Sequence, residues 1–162
     1  MTIFTRNGHD WTDRFPRLVA ELAALPTCII DAELVATDAT GVPDFAMFRR
    51  RVSKRQEDDF ALWAFDLLYA RGRDIRGMPY VERKEKLASL VARADIGAVS
   101  HSEFFADGDR LLAECGTRGL EGIVSKRSES AYRSGRQATW IKVKCQAWRD
   151  ANRERHKLFE RR

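Results

Sequence analysis

Two segments near the C-terminus carry charged side chains at a spacing that suits phosphate chemistry. In Trp140–Lys144, the two-residue period of a strand would place Lys142 and Lys144 on one face. The residues between and after them are predicted to point into the core: Ile141, Val143 and Cys145. Like charges on one face repel unless an anion lies between them, so a phosphate group could occupy that position. The alternative is an ordinary solvated strand face.

Carboxylates occupy two other predicted strands. Asp31 and Glu33 are two residues apart, so their side chains would share one face of the strand over residues 28–36. Glu121 begins the other C-terminal segment, residues 121–126, and its oxygens are hard ligands of the kind that Mg²⁺ prefers. Each of these acids could instead be a solvated residue at a strand edge.

The aromatic and nucleophilic residues narrow the chemistry further. Phe65 could stack on a purine base, although core packing competes because Trp63, Leu67 and Leu68 flank it. The histidines are scattered and have no nucleophile beside them: His9, His101 and His156. No catalytic triad is therefore indicated. The sequence also contains no Gly-rich phosphate loop of either common type.

Composition predicts a soluble domain that can bury a core. The chain has 162 residues, of which 44% are hydrophobic and 33% charged, so it is globular rather than disordered. Its net charge of +5 is compatible with a polyanionic partner. The 3 cysteines lack metal-site spacing and are expected to be reduced thiols in a cytoplasmic protein. No apolar run is long enough to span a membrane.

Hydrophobic periodicity predicts interspersed helices and strands. Helices are expected over residues 16–24, 45–52, 81–92, 109–114 and 146–162. Strands are expected over residues 3–6, 28–36, 60–69 and 98–105, and in the two C-terminal segments. The order lacks a regular βαβ rhythm, which predicts an α+β fold with substantially antiparallel sheet. We expect one domain over residues 1–145 and a basic helix or tail over residues 146–162.

Six segments occur in an order that resembles the ATP-dependent DNA ligases. They are Thr5-Arg6-Asn7-Gly8, Asp31-Ala32-Glu33-Leu34-Val35, Phe65-Asp66-Leu67-Leu68-Tyr69, Pro79 through Arg83 to Leu87, Glu121-Gly122-Ile123-Val124-Ser125-Lys126, and Trp140-Ile141-Lys142-Val143-Lys144. They are similar to motif Ia, an acidic strand, and motifs III, IIIa, IV and V of the ligase adenylation domain. The resemblance extends to about Cys145 and is greatest to the bacterial ligases of double-strand-break end joining.

The resemblance implies a ligase-type nucleotidyltransferase fold and a role for each matched residue. ATP would be bound by Arg6, Asp31, Glu33, Phe65, Lys142 and Lys144, and Mg²⁺ by Glu121. In the family reaction a lysine attacks the ATP α-phosphate and releases pyrophosphate. AMP then passes to a DNA 5′-phosphate, and a 3′-hydroxyl displaces it.

The nucleophile of that reaction has no counterpart in this sequence. It belongs to a Lys-x-Asp-Gly motif, and the only Asp-Gly here, Asp107-Gly108, follows Phe105-Ala106. We therefore expect a ligase fragment that lacks motif I and the OB-fold domain, and that is inactive alone. Its expected partners are DNA and a complementing ligase segment. The alternatives are a non-catalytic remnant with weak nucleotide or nucleic-acid binding, and a related RNA ligase or capping-type enzyme.

Overall fold

Two β-sheets form the framework of residues 1–39, 41–54, 60–135, 137–150 and 152, which the computed structural model describes. The helices are α1 (Pro16–Leu22), α2 (Phe45–Ser53), α3 (Tyr80–Ala94) and α4 (Gly108–Thr117). The strands are β1 (Cys28–Ala36), β2 (Phe60–Ala70), β3 (Arg73–Asp74), β4 (Val99–His101), β5 (Gly122–Lys126) and β6 (Trp140–Lys144). The mixture of helices and mainly antiparallel sheet confirms the predicted α+β class.

The first sheet is built on a long antiparallel pair, β1 and β2. The short strand β3 continues the antiparallel order, whereas β4 pairs with β2 in parallel. Two register shifts leave Phe65 and Leu68 of β2 without a partner in β1. Such bulges re-aim side chains, and the first of them falls at a residue of the predicted site.

The hydrophobic core covers one face of the first sheet. Its buried members are Phe15, Leu18, Leu22, Ala36, Phe60, Ala64, Leu67, Ile75, Leu87 and Val99. Because α1 and α3 contribute Leu18, Leu22 and Leu87, these helices cover the face opposite to Asp31 and Glu33. The acidic face of β1 is thereby left available for a site.

The second sheet consists of β5 and β6, with α4 packed on one face. Within this arrangement Gly108 of α4 lies beside Ile123, and Gly116 lies beside Cys145. The prediction that Ile141 points into the core was wrong, since this residue is 57% exposed. Ile141 pairs with Ser125, toward the end of the sheet away from Cys145, where neither of these two α4 contacts reaches it.

Most predicted elements are present, but two predicted strands were wrong in extent. Residues 3–6 form only an isolated bridge between Phe4 and Asp10, closed by a turn over residues 5–9. Of residues 98–105, only Val99–His101 forms a strand. In the predicted tail, residues 146–150 and 152 are helical, and the other residues of 146–162 lie outside the described part. No helix among the described residues is long and apolar enough to cross a membrane.

Candidate functional site

A broad cleft of about 2680 Å³ opens between the first and second sheets. Its lining includes Arg6, Asp31 and Glu33, together with Glu121 and Lys142 from the second sheet. Residues from both ends of the sequence therefore meet on one concave surface. Pockets for small molecules measure about 300–1,000 Å³, so this cleft has more room than a nucleotide needs.

Strand alternation explains how β1 supplies acids to the cleft. Ile30, Ala32 and Leu34 pack against the core, so the side chains between them face the other way. Asp31 is half-buried and accepts a hydrogen bond of 3.3 Å from the Tyr132 hydroxyl. Burial raises the pKa of the Asp31 carboxyl, and the nearby Lys126 ammonium partly offsets that rise.

Glu33 presents an exposed carboxylate two residues further along the same face. It is paired in register with Trp63 of β2, which is 37% exposed and also lines the cleft. The alternation that predicted a shared face for Asp31 and Glu33 is therefore observed. Glu33 offers acceptor oxygens beside an aromatic surface, a combination suited to a sugar hydroxyl next to a ring.

The anion that lies between the two lysines is the Glu121 carboxylate, whereas the sequence predicted a phosphate group there. This carboxylate lies 2.8 Å from Lys142 Nζ and 3.1 Å from Lys144 Nζ. Partial burial works to raise the pKa of Glu121, but hydrogen bonds from the two lysines outweigh it and hold the pKa below its usual value. All three charges are thus held together at the edge of the second sheet.

Gly122 makes this arrangement possible because β6 approaches the backbone of β5 very closely there. Its φ is +148°, and a Cβ at this position would lie 2.0 Å from the Val143 carbonyl oxygen. No other residue type fits without displacing a strand. The glycine after Glu121 therefore sets the distance between that carboxylate and Lys142.

Phe65 lies in an aromatic cage around Lys126. The Lys126 ammonium is 3.8 Å from the ring centre of Trp140, 4.1 Å from that of Phe65 and 4.8 Å from that of Tyr80. Among the described residues the ammonium has no hydrogen-bond partner. The rings instead stabilise its charge through their negative faces.

Burial lowers the pKa of Lys126 to about 8, against the opposing influence of Asp66 and Asp31. The neighbouring cations Lys84 and Arg83 lower it further. Lys126 is thus an amine whose pKa lies well below that of an ordinary lysine. Because it is enclosed by the cage, we assign it to fixing the rings rather than to chemistry on a ligand.

A buried ion pair connects the first sheet to the segment between β5 and β6. Arg83 and Asp66 have fully buried side chains and form two hydrogen bonds of 2.8 Å. Arg83 also donates to the carbonyls of Met78 and Ser130. These contacts tie the segment between the two strands of the second sheet to the first sheet.

The predicted site residues divide into two groups by location. Arg6, Asp31, Glu33, Glu121 and Lys142 line the cleft together. Lys144 and Phe65 do not line the cleft. Lys144 contacts this group through its ion pair with Glu121, and its ammonium also lies 4.2 Å from the centre of the Trp148 ring. Phe65 belongs to the aromatic cage around Lys126.

Sequence reasoning gave no role to Lys126 or Trp63. Lys126 is the cross-strand partner of Trp140, and pairing the two segments as a hairpin would have placed the cation beside the ring. Trp63 lies opposite Glu33 in the β1–β2 pair. This pairing depends on the positions of the bulges in β2, which the sequence pattern does not reveal.

The donor set around Glu121 fits a metal ion that is held mainly by its ligand's phosphates. Among the described residues no three His, Cys, Asp or Glu side chains gather into a metal site. Mg²⁺ commonly uses one or two carboxylates and completes its shell with water and substrate phosphates. A single accessible carboxylate next to two lysines is compatible with that arrangement.

Comparison with known proteins gives the family and the fold that this chain resembles. Residues 1–144 match the ATP dependent DNA ligase domain family. The multifunctional non-homologous end joining protein LigD of Pseudomonas aeruginosa is 40% identical over 147 residues, covering 89% of this chain and 18% of that protein. The crystal structure of the ligase domain from M. tuberculosis LigD superposes with a TM-score of 0.74 at 34% identity, covering 88% of this chain and 47% of that domain. A structure of mycobacterial DNA ligase D complexed with ATP and MES gives the same TM-score of 0.74, identity and coverage.

Proposed function

This chain belongs to the ATP-dependent DNA ligase family, and we propose from that premise that its cleft binds ATP with Mg²⁺ for nucleotidyl transfer to DNA. The chain spans 18% of the LigD protein from P. aeruginosa and 47% of the M. tuberculosis ligase domain. Because the chain corresponds to only part of these proteins, the nick-sealing reaction of a complete ligase is itself proposed for this chain. A DNA substrate also implies a cytoplasmic location.

One observation carries the proposal: Glu33, Glu121 and Lys142 line a single cleft although they lie on three separate strands or strand ends. A nucleotide offers hydroxyls on its sugar and anions on its phosphates. We assign the sugar hydroxyls to Glu33 and the phosphates to Lys142 and Lys144, because carboxylates accept hydrogen bonds and ammonium groups donate them. Asp31 supports Glu33 from the same face, and Arg6 reaches the phosphates from the N-terminal turn.

Phe65 is assigned to the adenine ring, as the resemblance implies. Because its ring is held by Lys126 and Trp140, only a limited part of its surface is available to a base. Trp63 stands nearer to the cleft and beside Glu33. Fluorescence of Trp63 should therefore respond to a bound base even though Phe65 carries the stacking role.

Glu121 is proposed as the protein ligand of the metal ion. A bound Mg²⁺ supplies positive charge that stabilises transferring phosphoryl groups. When Glu121 turns to the metal, Lys142 and Lys144 lose their counter-ion and become free to hold phosphate oxygens. Metal and triphosphate are thus expected to bind cooperatively through one carboxylate.

Covalent transfer needs a nucleophile that these 162 residues do not include in a Lys-x-Asp-Gly context. Lys126 cannot take that place, because its ammonium is enclosed by three aromatic rings. We therefore propose that the chain binds nucleotide but forms no enzyme–AMP adduct by itself. A segment that carries the lysine would complete the site.

Two measurements test these proposals. Calorimetric titration should show Mg²⁺-dependent ATP binding that Lys142→Met and Glu33→Gln weaken, while Lys86→Met, an exposed lysine on α3, leaves it unchanged. Incubation with radiolabelled ATP and Mg²⁺, followed by a denaturing gel, should give no labelled band. If ATP does not bind, the proposal that the cleft is a nucleotide site is wrong. A hydroxylamine-sensitive labelled band would show that another residue of this chain acts as the nucleophile.

A further inference from the structure

Helix α2 presents an apolar side to the core and a basic side to the cleft. Met47, Phe48 and Val52 pack against the core, as the helical period requires. Arg49 and Arg50 are exposed and line the cleft, together with Phe45. The Asp44 side chain begins the helix by accepting a hydrogen bond of 2.9 Å from the Met47 amide.

In the part of the chain that the structure describes, the arginines of this face lie apart from the carboxylates that form ion pairs. Within the described ranges no carboxylate forms an ion pair with Arg49 or Arg50. Two nearby acids line the same part of the cleft and accept hydrogen bonds from backbone amides. Asp38 accepts from the Val42 amide, and Asp44 accepts from the Met47 amide at the start of the helix. The dipole of α2 favours a cation in its last turn, where Arg50 lies. The dipole does not account for the charge of Arg49, which lies before that turn.

An exposed ring stands beside these cations. Phe45 is 69% exposed and stacks on Phe48 with ring centres 6.2 Å apart. The Arg49 guanidinium lies 5.9 Å from the centre of the Phe45 ring. An exposed ring next to arginines that have no carboxylate partner among the described residues fits a nucleic-acid surface, where rings contact sugars and bases and cations contact phosphates.

The location of this face determines its partner. It borders the same cleft as Glu33 and Lys142, and that cleft is larger than ATP requires. Given the proposed function, on which this step rests, the polyanion that must reach the nucleotide is DNA. We propose that the basic face of α2, formed by Phe45, Arg49 and Arg50, binds the sugar-phosphate backbone of duplex DNA beside the nucleotide site.

Backbone contacts of this kind carry no sequence information but make affinity depend on salt. Each phosphate contact contributes about 0.9 to the slope of log affinity against log salt on duplex DNA. Replacing both arginines, as Arg49→Gln with Arg50→Gln, should reduce that slope by up to about 2 and weaken binding most at low salt. Glutamine is a good helix former, so α2 should persist.

The experiment uses the full 162-residue chain and a fluorescent duplex that contains one nick with a 5′-phosphate. Anisotropy titrations at several salt concentrations give the slope for the wild type and the variants. A matched control removes two other exposed arginines that do not line the cleft, Arg73→Gln with Arg110→Gln. The charge-preserving pair Arg49→Lys with Arg50→Lys should keep the wild-type slope.

The outcomes separate this inference from the proposed function, because ATP binding is titrated in parallel. A slope reduced only by the α2 glutamine pair, with thermal unfolding unchanged, supports the inference whether or not ATP binds. A slope that the α2 pair and the control pair reduce equally would show general electrostatics and overturn it. A slope unchanged in the α2 pair overturns it as well, even if ATP binding confirms the nucleotide site.

Discussion

The Glu121 carboxylate has two possible partners, the lysines that it now bridges and the metal ion proposed for it. Its ion pairs with Lys142 and Lys144 must be given up when a triphosphate takes the lysines. Each of these partly exposed pairs contributes about 0.2–1 kcal/mol, so the exchange is inexpensive. With the proposed ligands, this residue would therefore link occupancy of the metal to occupancy of the phosphates.

Glu121→Gln should change ATP affinity in opposite directions with and without metal. In EDTA the variant should bind ATP about two- to thirty-fold more tightly, because two pairs of about 0.2–1 kcal/mol no longer have to be broken. With Mg²⁺ it should bind more weakly than the wild type, since the metal ligand is gone. Lys142→Met serves as the control and should lose affinity in both buffers. Equal affinities of the wild type and the Glu121→Gln variant in EDTA would contradict the role of an internal counter-ion.

Lys126 should make stability depend on pH in the alkaline range. Its pKa is about 8 in the folded chain against 10.5 for an ordinary lysine. Between these values the unfolded chain holds more protons, so the free energy of unfolding rises with pH there. The rise is limited to about 1.36 kcal/mol per pH unit, and the surrounding rings reduce it by favouring the ammonium.

The test is urea denaturation at pH 7.5 and 9.5 for the wild type, Lys126→Met and the exposed control Lys86→Met. Lys126→Met should be at least as stable as the wild type at pH 7.5 and should lack part of the alkaline rise. Lys86→Met should follow the wild type. If all three proteins change in parallel, Lys126 titrates normally and the cage does not exclude water.

At the scale of elements, local pattern sufficed where a segment is continuous and strongly apolar. The strand over residues 28–36 was predicted with its observed bounds, and β2 and the helices to within a few residues. The pattern failed for residues 98–105, where only Val99–His101 is a strand and Phe104 and Phe105 are 65% and 53% exposed. Strand length depends on hydrogen bonds with a partner, and the pairing of β4 with β2 ends at His101, opposite Ala64.

The contact between β5 and β6 depends on a single glycine. Gly122→Ala would place a methyl group 2.0 Å from the Val143 oxygen at a φ of +148°. Strain of this kind costs about 1–3 kcal/mol, and relieving the clash should also move Glu121 from Lys142. We expect lower stability in urea and weaker ATP binding. Gly77→Ala is the matched control, because no atom lies within 4 Å of the methyl group that alanine would add and the φ of Gly77 is not positive.

For the whole molecule, the order of the charged segments predicted that residues far apart in sequence would meet, but not how. The cleft does bring Arg6, Glu33, Glu121 and Lys142 together. The position of Phe65 in a cage followed from a register shift in β2 that alternation cannot reveal. The basic face of α2 was likewise hidden, because only the tertiary fold shows that Arg49 borders the site.

The buried pair of Asp66 and Arg83 ties the first sheet to the segment between β5 and β6, and we expect it to control the spacing of the two sheets. Arg83→Met leaves the Asp66 carboxylate buried without its partner, and loss of one member of a buried pair costs about 3–5 kcal/mol. Asp66→Leu combined with Arg83→Met removes both charges and should recover much of that loss in urea denaturation. Because Arg83 also holds the Ser130 carbonyl, the double variant should still bind ATP more weakly than the wild type despite its restored stability. Strictly additive losses in the double variant, or full ATP affinity, would show that the pair does not control the spacing of the sheets.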